Sequence, residues 1–119
     1  QLVGVLVLNI NRFKTINDSL GQQAANRVLR QVGQRLKQLS LPGEEVFGLG
    51  RDEFALTMTD FSSTDTALRR TRSILQLFEK PVLVDGNEYH LTLGIGMAIF
   101  PHDGESPLEI IQNADTALH

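Results

Sequence analysis

Two adjacent carboxylates, Asp52 and Glu53, stand in a short polar segment between apolar stretches at residues 46–49 and 54–58. Short apolar stretches on either side of a glycine-containing polar turn are typical of a β-hairpin. A hairpin would hold both carboxylates at its tip, where a metal ion or a phosphate can be met. Solvated turn residues would give the same local pattern, so both interpretations stay open.

A second set of polar residues, Asn9 and Asn11, stands at the end of a continuous apolar run over residues 4–10. A short run rich in Val and Leu predicts a strand that is buried on both faces of a sheet. The amide oxygen of an asparagine can coordinate a metal ion but brings no charge. The same side chains can equally serve as structural hydrogen-bonding groups at a strand end.

Apolar residues at helical spacing predict the helices that must position these groups. A short helix is expected over residues 13–20, with Gly21 as its C-terminal cap, and a long one from Ala25 to Leu39, stopped by Pro42-Gly43. A third helix is expected between a capping box at residues 62–65 and Pro81. A fourth opens at Ser106-Pro107.

The remaining strands are expected around Asp85-Gly86, a dipeptide typical of a hairpin turn. Residues 82–84 form the first arm, and residues 89–99 alternate as one long strand that we expect at the centre of the sheet. Gly94 and Gly96 leave one face of that strand small, which favours close helix packing. This order of elements predicts an α+β fold, in which helices cover the faces of a mostly antiparallel sheet.

Composition limits the class of protein. The chain has 119 residues, 41% hydrophobic residues, no cysteine and a net charge of -3. This length predicts a single domain over residues 1–119 that buries a core without disulfides or a structural metal. No apolar run reaches the roughly 20 residues that span a bilayer. The net charge of -3 and the absence of a long basic run argue against nucleic acid as a main partner. Because the chain starts at Gln1 and enters a strand at once, we expect a domain excised from a longer protein and truncated at both ends.

Five segments resemble, in order and spacing, the successive blocks of a GGDEF domain, the family of diguanylate cyclases that join two GTP molecules into cyclic di-GMP. The resemblance covers essentially the whole chain. It implies a palm-like fold, similar to nucleotidyl cyclases and ferredoxin-like domains, and a Mg²⁺-dependent reaction. The segments that carry the resemblance are residues 9–14, 16–21, 50–54, 93–98 and 114–118.

The resemblance also implies roles for individual residues. Asp52 and Glu53 match the catalytic carboxylates, and the metal ligands would be Asp52, Asn9 and the backbone of Ile10. The positions that match nucleotide-binding residues are Lys14, Asn17, Asn26, Gly50 and Arg51.

Several of these positions depart from the family pattern. Asn9 and Asn26 stand where carboxylates are expected, Gly48 where an arginine is usual, and Arg51 where the signature has a glycine. The product-inhibition motif is not matched at residues 41–44. A neutral amide in place of a carboxylate weakens a Mg²⁺ site, so we expect a degenerate active site.

The sequence therefore supports three hypotheses. The first is a degenerate GGDEF domain with weak or no cyclase activity, acting as a GTP-binding or dimerising regulatory module next to an EAL phosphodiesterase domain in the same chain. The second is an active diguanylate cyclase, and the third is a protein-interaction scaffold without a nucleotide site. The resemblance implies a cytoplasmic location, which attachment to a membrane or sensor domain elsewhere in the full protein would still allow.

Overall fold

The described part of the chain forms three helices and six strands, together with helical residues at 109, 111 and 112. The computed structural model describes residues 2–50, 52–61, 63–101, 109 and 111–112. In chain order the elements are β1 (Leu2–Ile10), α1 (Phe13–Leu20), α2 (Gln22–Leu39), β2 (Glu44–Gly50), β3 (Glu53–Phe61), α3 (Thr64–Leu77), β4 (Val82–Val84), β5 (Asn87–Tyr89) and β6 (Leu93–Pro101).

The main sheet has four strands in the order β2-β3-β1-β6, and every pair in it is antiparallel. β1 lies between β3 and β6, and its residue Asn9 pairs with Glu53 on one side and with Gly94 on the other. A separate ribbon joins β4 to β5. The predicted α+β class with a mostly antiparallel sheet is confirmed.

The sheet is apolar on both faces, because β1 alternates two sets of buried side chains. Leu6, Leu8 and Ile10 pack in a core with residues of α2 and α3. Val3, Val5 and Val7 pack on the opposite face in a smaller cluster that includes Ile111. The side chains from α2 and α3 in the first core are Val28, Val32, Leu36, Ala67 and Ile74. Burial on both faces is what a continuous Val- and Leu-rich run predicts.

Two arginines connect helices α2 and α3 to neighbouring segments of the chain. Arg35 of α2 donates hydrogen bonds to the carbonyl oxygens of Lys80 (2.7 Å) and Pro81 (2.8 Å), so α2 holds the loop after α3. Arg70 of α3 forms a bidentate ion pair with Glu44 at 2.8 and 2.9 Å. The side chains of this pair are only 11% and 5% exposed, so α3 and the start of β2 are joined through a buried charge pair.

The long strand expected over residues 89–99 is a wrong prediction in two respects. The chain breaks at residues 90–92, so that β5 joins β4 in the separate ribbon while β6 joins β1. Alternation alone cannot show this break, because both pieces keep the same period of two. Among the described residues β6 also lies at the edge of the main sheet and not at its centre.

Several other predictions of helices and turns are confirmed, some with shifted boundaries. Gly21 ends α1 as expected, with its N–H bonded to the carbonyl of Asn17, but α2 begins at Gln22, one turn before Ala25. Asp85 and Gly86 both have positive φ, which confirms the two-residue hairpin turn. The helix expected from Ser106 lies mostly outside the described residues, although residues 109, 111 and 112 are helical. No helix in the described part of the chain is long and apolar enough to cross a membrane.

Candidate functional site

The acidic hairpin forms as predicted and lies against the end of β1. Gly50 closes β2 with φ +98° and is the ladder partner of Glu53. A register shift between Gly48 and Gly50 marks a bulge just before the turn. The backbone N–H of Ile10 donates to the carbonyl oxygen of Asp52 at 3.1 Å. This hydrogen bond ties the turn to the strand end that carries Asn9.

Asn9 is held between the two strands that flank β1. It is exposed, and its amide oxygen lies 2.5 Å from the position that a Cβ atom on Gly94 would occupy. We expected the glycine at 94 to serve helix packing, and this prediction is wrong. The nearest atoms to that position belong to the side chains of Asn9 and Asn11, so Gly94 leaves room for two amides.

Thr92 positions the second amide. The backbone N–H of Asn11 donates to the Thr92 carbonyl at 2.9 Å, and the Asn11 side-chain amide donates to the Thr92 hydroxyl at 3.1 Å. The Asn11 amide oxygen then lies 3.3 Å from the Cβ position of Gly94. Two amide oxygens thus converge on Gly94 at the end of β1.

A cleft of about 430 Å³ contains this part of the site. Asn9, Asp52 and Glu53 line it together with Gly94, so three of the candidate residues come together. The side-chain oxygens of Asn9, Asp52 and Glu53 are hard ligands of the kind that Mg²⁺ prefers. The other lining residues are Val7, Ile95 and Gly96.

A second cleft of about 600 Å³ lies between α1, α2 and the hairpin turn. Lys14, Asn17 and Asn26 line it, as does Asp52, which therefore belongs to both clefts. One cation and two amides in one concave surface can contact the phosphates and the base edge of a nucleotide. The remaining lining residues are Phe13, Asp18, Gln22 and Leu29.

Two of the candidate positions that the structure describes, Gly50 and Ile10, line neither of these clefts. Gly50 shapes the turn and lines neither cleft. The Ile10 side chain is buried in the main core, and its N–H is already bonded to Asp52. Arg51 lies outside the described residues.

The sequence interpretation missed several residues of the site. Thr92 and Gly94 were not assigned to it, because the ladder between β1 and β6 joins positions about eighty residues apart in sequence. Asp18 lines the second cleft although we gave it no role. Its place directly after Asn17 in a matched block was a signal that could have identified it.

Few negatively charged side chains could bind a metal ion at this site. Across the described residues, no group of three or more His, Cys, Asp or Glu side chains is close enough to hold a metal. The donors in the first cleft are two carboxylates and a neutral amide. They fit Mg²⁺ in ligand type, with less negative charge than a site with a third carboxylate would offer.

Comparison with known proteins identifies the class of this α+β domain with its acidic hairpin. The chain matches the model of the diguanylate cyclase GGDEF domain over residues 1–119. The chain therefore belongs to the GGDEF family, whose proteins act in cyclic di-GMP signalling.

Two curated relatives and two solved structures show the extent of this likeness. The chain is 30% identical over 117 residues to cyclic di-GMP phosphodiesterase NbdA of Pseudomonas aeruginosa, covering 98% of the chain and 15% of NbdA. It is 33% identical over 120 residues to diguanylate cyclase TpbB of the same species, covering all of the chain and 28% of TpbB. The chain thus spans less than a third of either relative.

The solved structures agree with the sequence comparison. The crystal structure of the TpbB GGDEF domain matches with a TM-score of 0.84 at 33% identity, covering 99% of this chain and 74% of that one. An EAL/GGDEF domain protein from M. capsulatus matches with a TM-score of 0.83 at 31% identity, covering 98% of this chain and 76% of that one. The fold is that of solved GGDEF domains.

Proposed function

We propose that this GGDEF domain is a degenerate, GTP-binding regulatory module with weak or no diguanylate cyclase activity. The observation that carries the proposal is the amide of Asn9 in the cleft that contains Asp52 and Glu53. The family resemblance implies a carboxylate at this strand end. Asn9 lines this cleft and would supply a neutral amide in place of that negative charge.

The missing charge is large enough to affect catalysis. One unit-charge pair at about 4 Å is worth on the order of 4 kcal/mol at an effective dielectric near 20, before desolvation is counted. A third of that energy, if felt in the transition state, costs roughly tenfold in rate. Asn11 adds no charge either, because its side chain is also a neutral amide, which donates to the Thr92 hydroxyl.

In this proposal the first cleft would bind Mg²⁺ and the second cleft would bind the nucleotide. Asp52, Asn9 and the Ile10 backbone would hold Mg²⁺, which when bound neutralises phosphate charge. Lys14 would contact the phosphates from the second cleft, where Asn17 and Asn26 would contact guanine. Asn26 offers one acceptor oxygen where a carboxylate offers two, so base selectivity should be reduced.

The regulatory part of the proposal concerns the longer protein. An EAL phosphodiesterase domain in the same chain is supported by two relatives, one named a cyclic di-GMP phosphodiesterase and one described as an EAL/GGDEF domain protein. GTP binding, or pairing with a second GGDEF domain, would then control that neighbour.

Calorimetric titration with GTP, with and without Mg²⁺, combined with an assay for cyclic di-GMP, tests the proposal. We expect GTP to bind, Asn17→Ala to weaken it, and little product to form. Asn9→Asp should raise the Mg²⁺-dependent part of the GTP affinity about tenfold, because it restores a charge beside Asp52. Thr15→Ala, on the exposed surface of α1, is the matched control. Sustained synthesis of cyclic di-GMP by the unmodified protein would contradict the proposal.

An active diguanylate cyclase is the second candidate, because Asp52 and Glu53 both line the first cleft. Its relative TpbB is named a diguanylate cyclase. This candidate predicts product formation that Asp52→Ala abolishes. The scaffold without a nucleotide site predicts no GTP binding at all, so micromolar affinity for GTP would exclude it.

A further inference from the structure

A third concave surface lies between α2 and β2, and among the described residues it shares Leu29 with the second cleft and no lining residue with the first. It is a groove of about 350 Å³ whose floor is formed by Leu29, Val46 and the ring of Phe54. It includes Gly48, where the family pattern has an arginine, but none of the described residues to which the resemblance gives a catalytic, metal-binding or nucleotide-binding role lines it. Arg30 and Lys37 line its α2 side.

Two glycines keep this groove open. A Cβ atom on Gly33 of α2 would lie 3.2 Å from the Phe54 ring, so a side chain there would press on the floor. A Cβ atom on Gly48 of β2 would meet no atom within 4 Å. Any side chain at position 48 would therefore project into empty space at the groove. The open volume above Phe54 can accept one apolar side chain from outside.

The two cations have no acidic partner within the described part of the chain, since no ion pair involves Arg30 or Lys37. Glu44, the acidic residue at the start of β2, is committed to Arg70. Glu45 precedes Val46, which lines the groove, so strand alternation places it on the opposite face of β2. The groove is thus positive in a chain whose net charge is -3.

The spacing of the cations indicates the shape of their partner. Arg30 and Lys37 are seven residues apart on one helix, which places them on the same face and about 10 Å apart along its axis. A second helix beside α2 would present its own residues seven apart at the same interval. Gly33, whose added Cβ atom would meet the Phe54 ring of the floor, lies between the two cations in sequence.

We propose that this groove docks an acidic amphipathic helix of a partner protein. The helix carries two carboxylates seven residues apart, which pair with Arg30 and Lys37. A Leu or Phe midway between them inserts above Phe54, between Gly33 and Gly48. This is a helix-in-groove interaction with charge complementarity at both ends. It does not depend on the proposed function, because neither cation lines the nucleotide clefts.

Fluorescence anisotropy of the full chain with a labelled synthetic peptide tests this docking site. The peptide is a helix-forming sequence of about 15 residues with two Glu seven apart and a Leu between them. We expect saturable binding that weakens as salt is raised, because surface charge pairs are screened. Arg30→Glu combined with Lys37→Glu should reduce the affinity for this peptide more than tenfold. A second peptide, with Lys in place of both Glu residues, should bind the doubly substituted chain with the affinity restored.

Matched variants separate the groove from general charge effects. Arg69→Glu combined with Arg72→Glu changes the net charge equally on the exposed surface of α3 and should leave the affinity unchanged. Gly48→Leu fills the groove without a clash and should also reduce the affinity more than tenfold. The proposal is overturned if the unmodified chain binds no peptide, or if both charge-reversed pairs lose affinity equally. It is also overturned if no peptide binds and inorganic triphosphate binds the unmodified chain but not the variant with Arg30→Glu and Lys37→Glu, since the groove would then be an anion subsite.

Discussion

Asn9 and Gly94 are direct partners in the ladder between β1 and β6, and the amide oxygen of Asn9 occupies the space where a side chain at residue 94 would begin. The distance from that oxygen to an added Cβ atom is 2.5 Å, which is shorter than the contacts that Cβ atoms make in proteins. The glycine therefore determines where the Asn9 amide lies. Because both residues line the cleft of Asp52, this pairing shapes the proposed metal site.

Gly94→Ala should move the Asn9 amide and weaken any Mg²⁺ site that uses it. We expect the Mg²⁺-dependent part of the GTP affinity to fall severalfold. The free energy of unfolding should change by less than about 1 kcal/mol, because the atom that must move ends an exposed, flexible side chain. Calorimetry with and without Mg²⁺ and urea denaturation measure the two effects.

The same substitution in an Asn9→Ala background provides the control. If Gly94 acts through Asn9, Gly94→Ala has no further effect on GTP affinity once the amide is absent. Equal losses in the two backgrounds would show that residue 94 acts in another way.

Arg70→Ala should destabilise the fold strongly. It removes one partner of an ion pair whose side chains are 11% and 5% exposed, and it leaves the Glu44 carboxylate buried without its cation. Losing one partner of a buried pair typically costs about 3–5 kcal/mol. Urea denaturation measures the loss.

Arg27→Ala is the matched control, because Arg27 pairs with Asp85 at the same distance of 2.8 Å but with side chains 44% and 57% exposed. Exposed pairs contribute about 0–1 kcal/mol, so this variant should be nearly as stable as the unmodified chain. Similar losses in the two variants would contradict a role for burial.

Gly50→Ala should loosen the hairpin that carries Asp52. Gly50 has φ +98°, a region that a residue with a Cβ atom adopts at a cost of about 1–3 kcal/mol. Gly48→Ala, two residues away in the same strand, meets open space and should be almost neutral. Urea denaturation compares the two, and amide exchange at Ile10, whose N–H bonds to Asp52, reports the hairpin directly. Faster exchange is expected only in the Gly50 variant.

The local elements could largely be predicted from the sequence. The hairpin around Asp52 and the turn at Asp85-Gly86 depend on neighbouring residues, and both form as expected. The failure at residues 90–92 has a different origin. There the chain passes from the two-stranded ribbon to the main sheet. The alternation of side chains along the strand is the same before and after this change of pairing partner, so the sequence pattern does not reveal it.

Residue types and local spacing were enough to indicate the family, most of the helices and strands, and the neutral amides at positions 9 and 26. Which residues share a cleft depends instead on contacts between segments that are distant in sequence. Asp52 belongs to both clefts because the Ile10 N–H holds the turn against β1, and Gly94 contacts Asn9 because of the register between β1 and β6. Register and packing depend on the whole core, so no short segment specifies them.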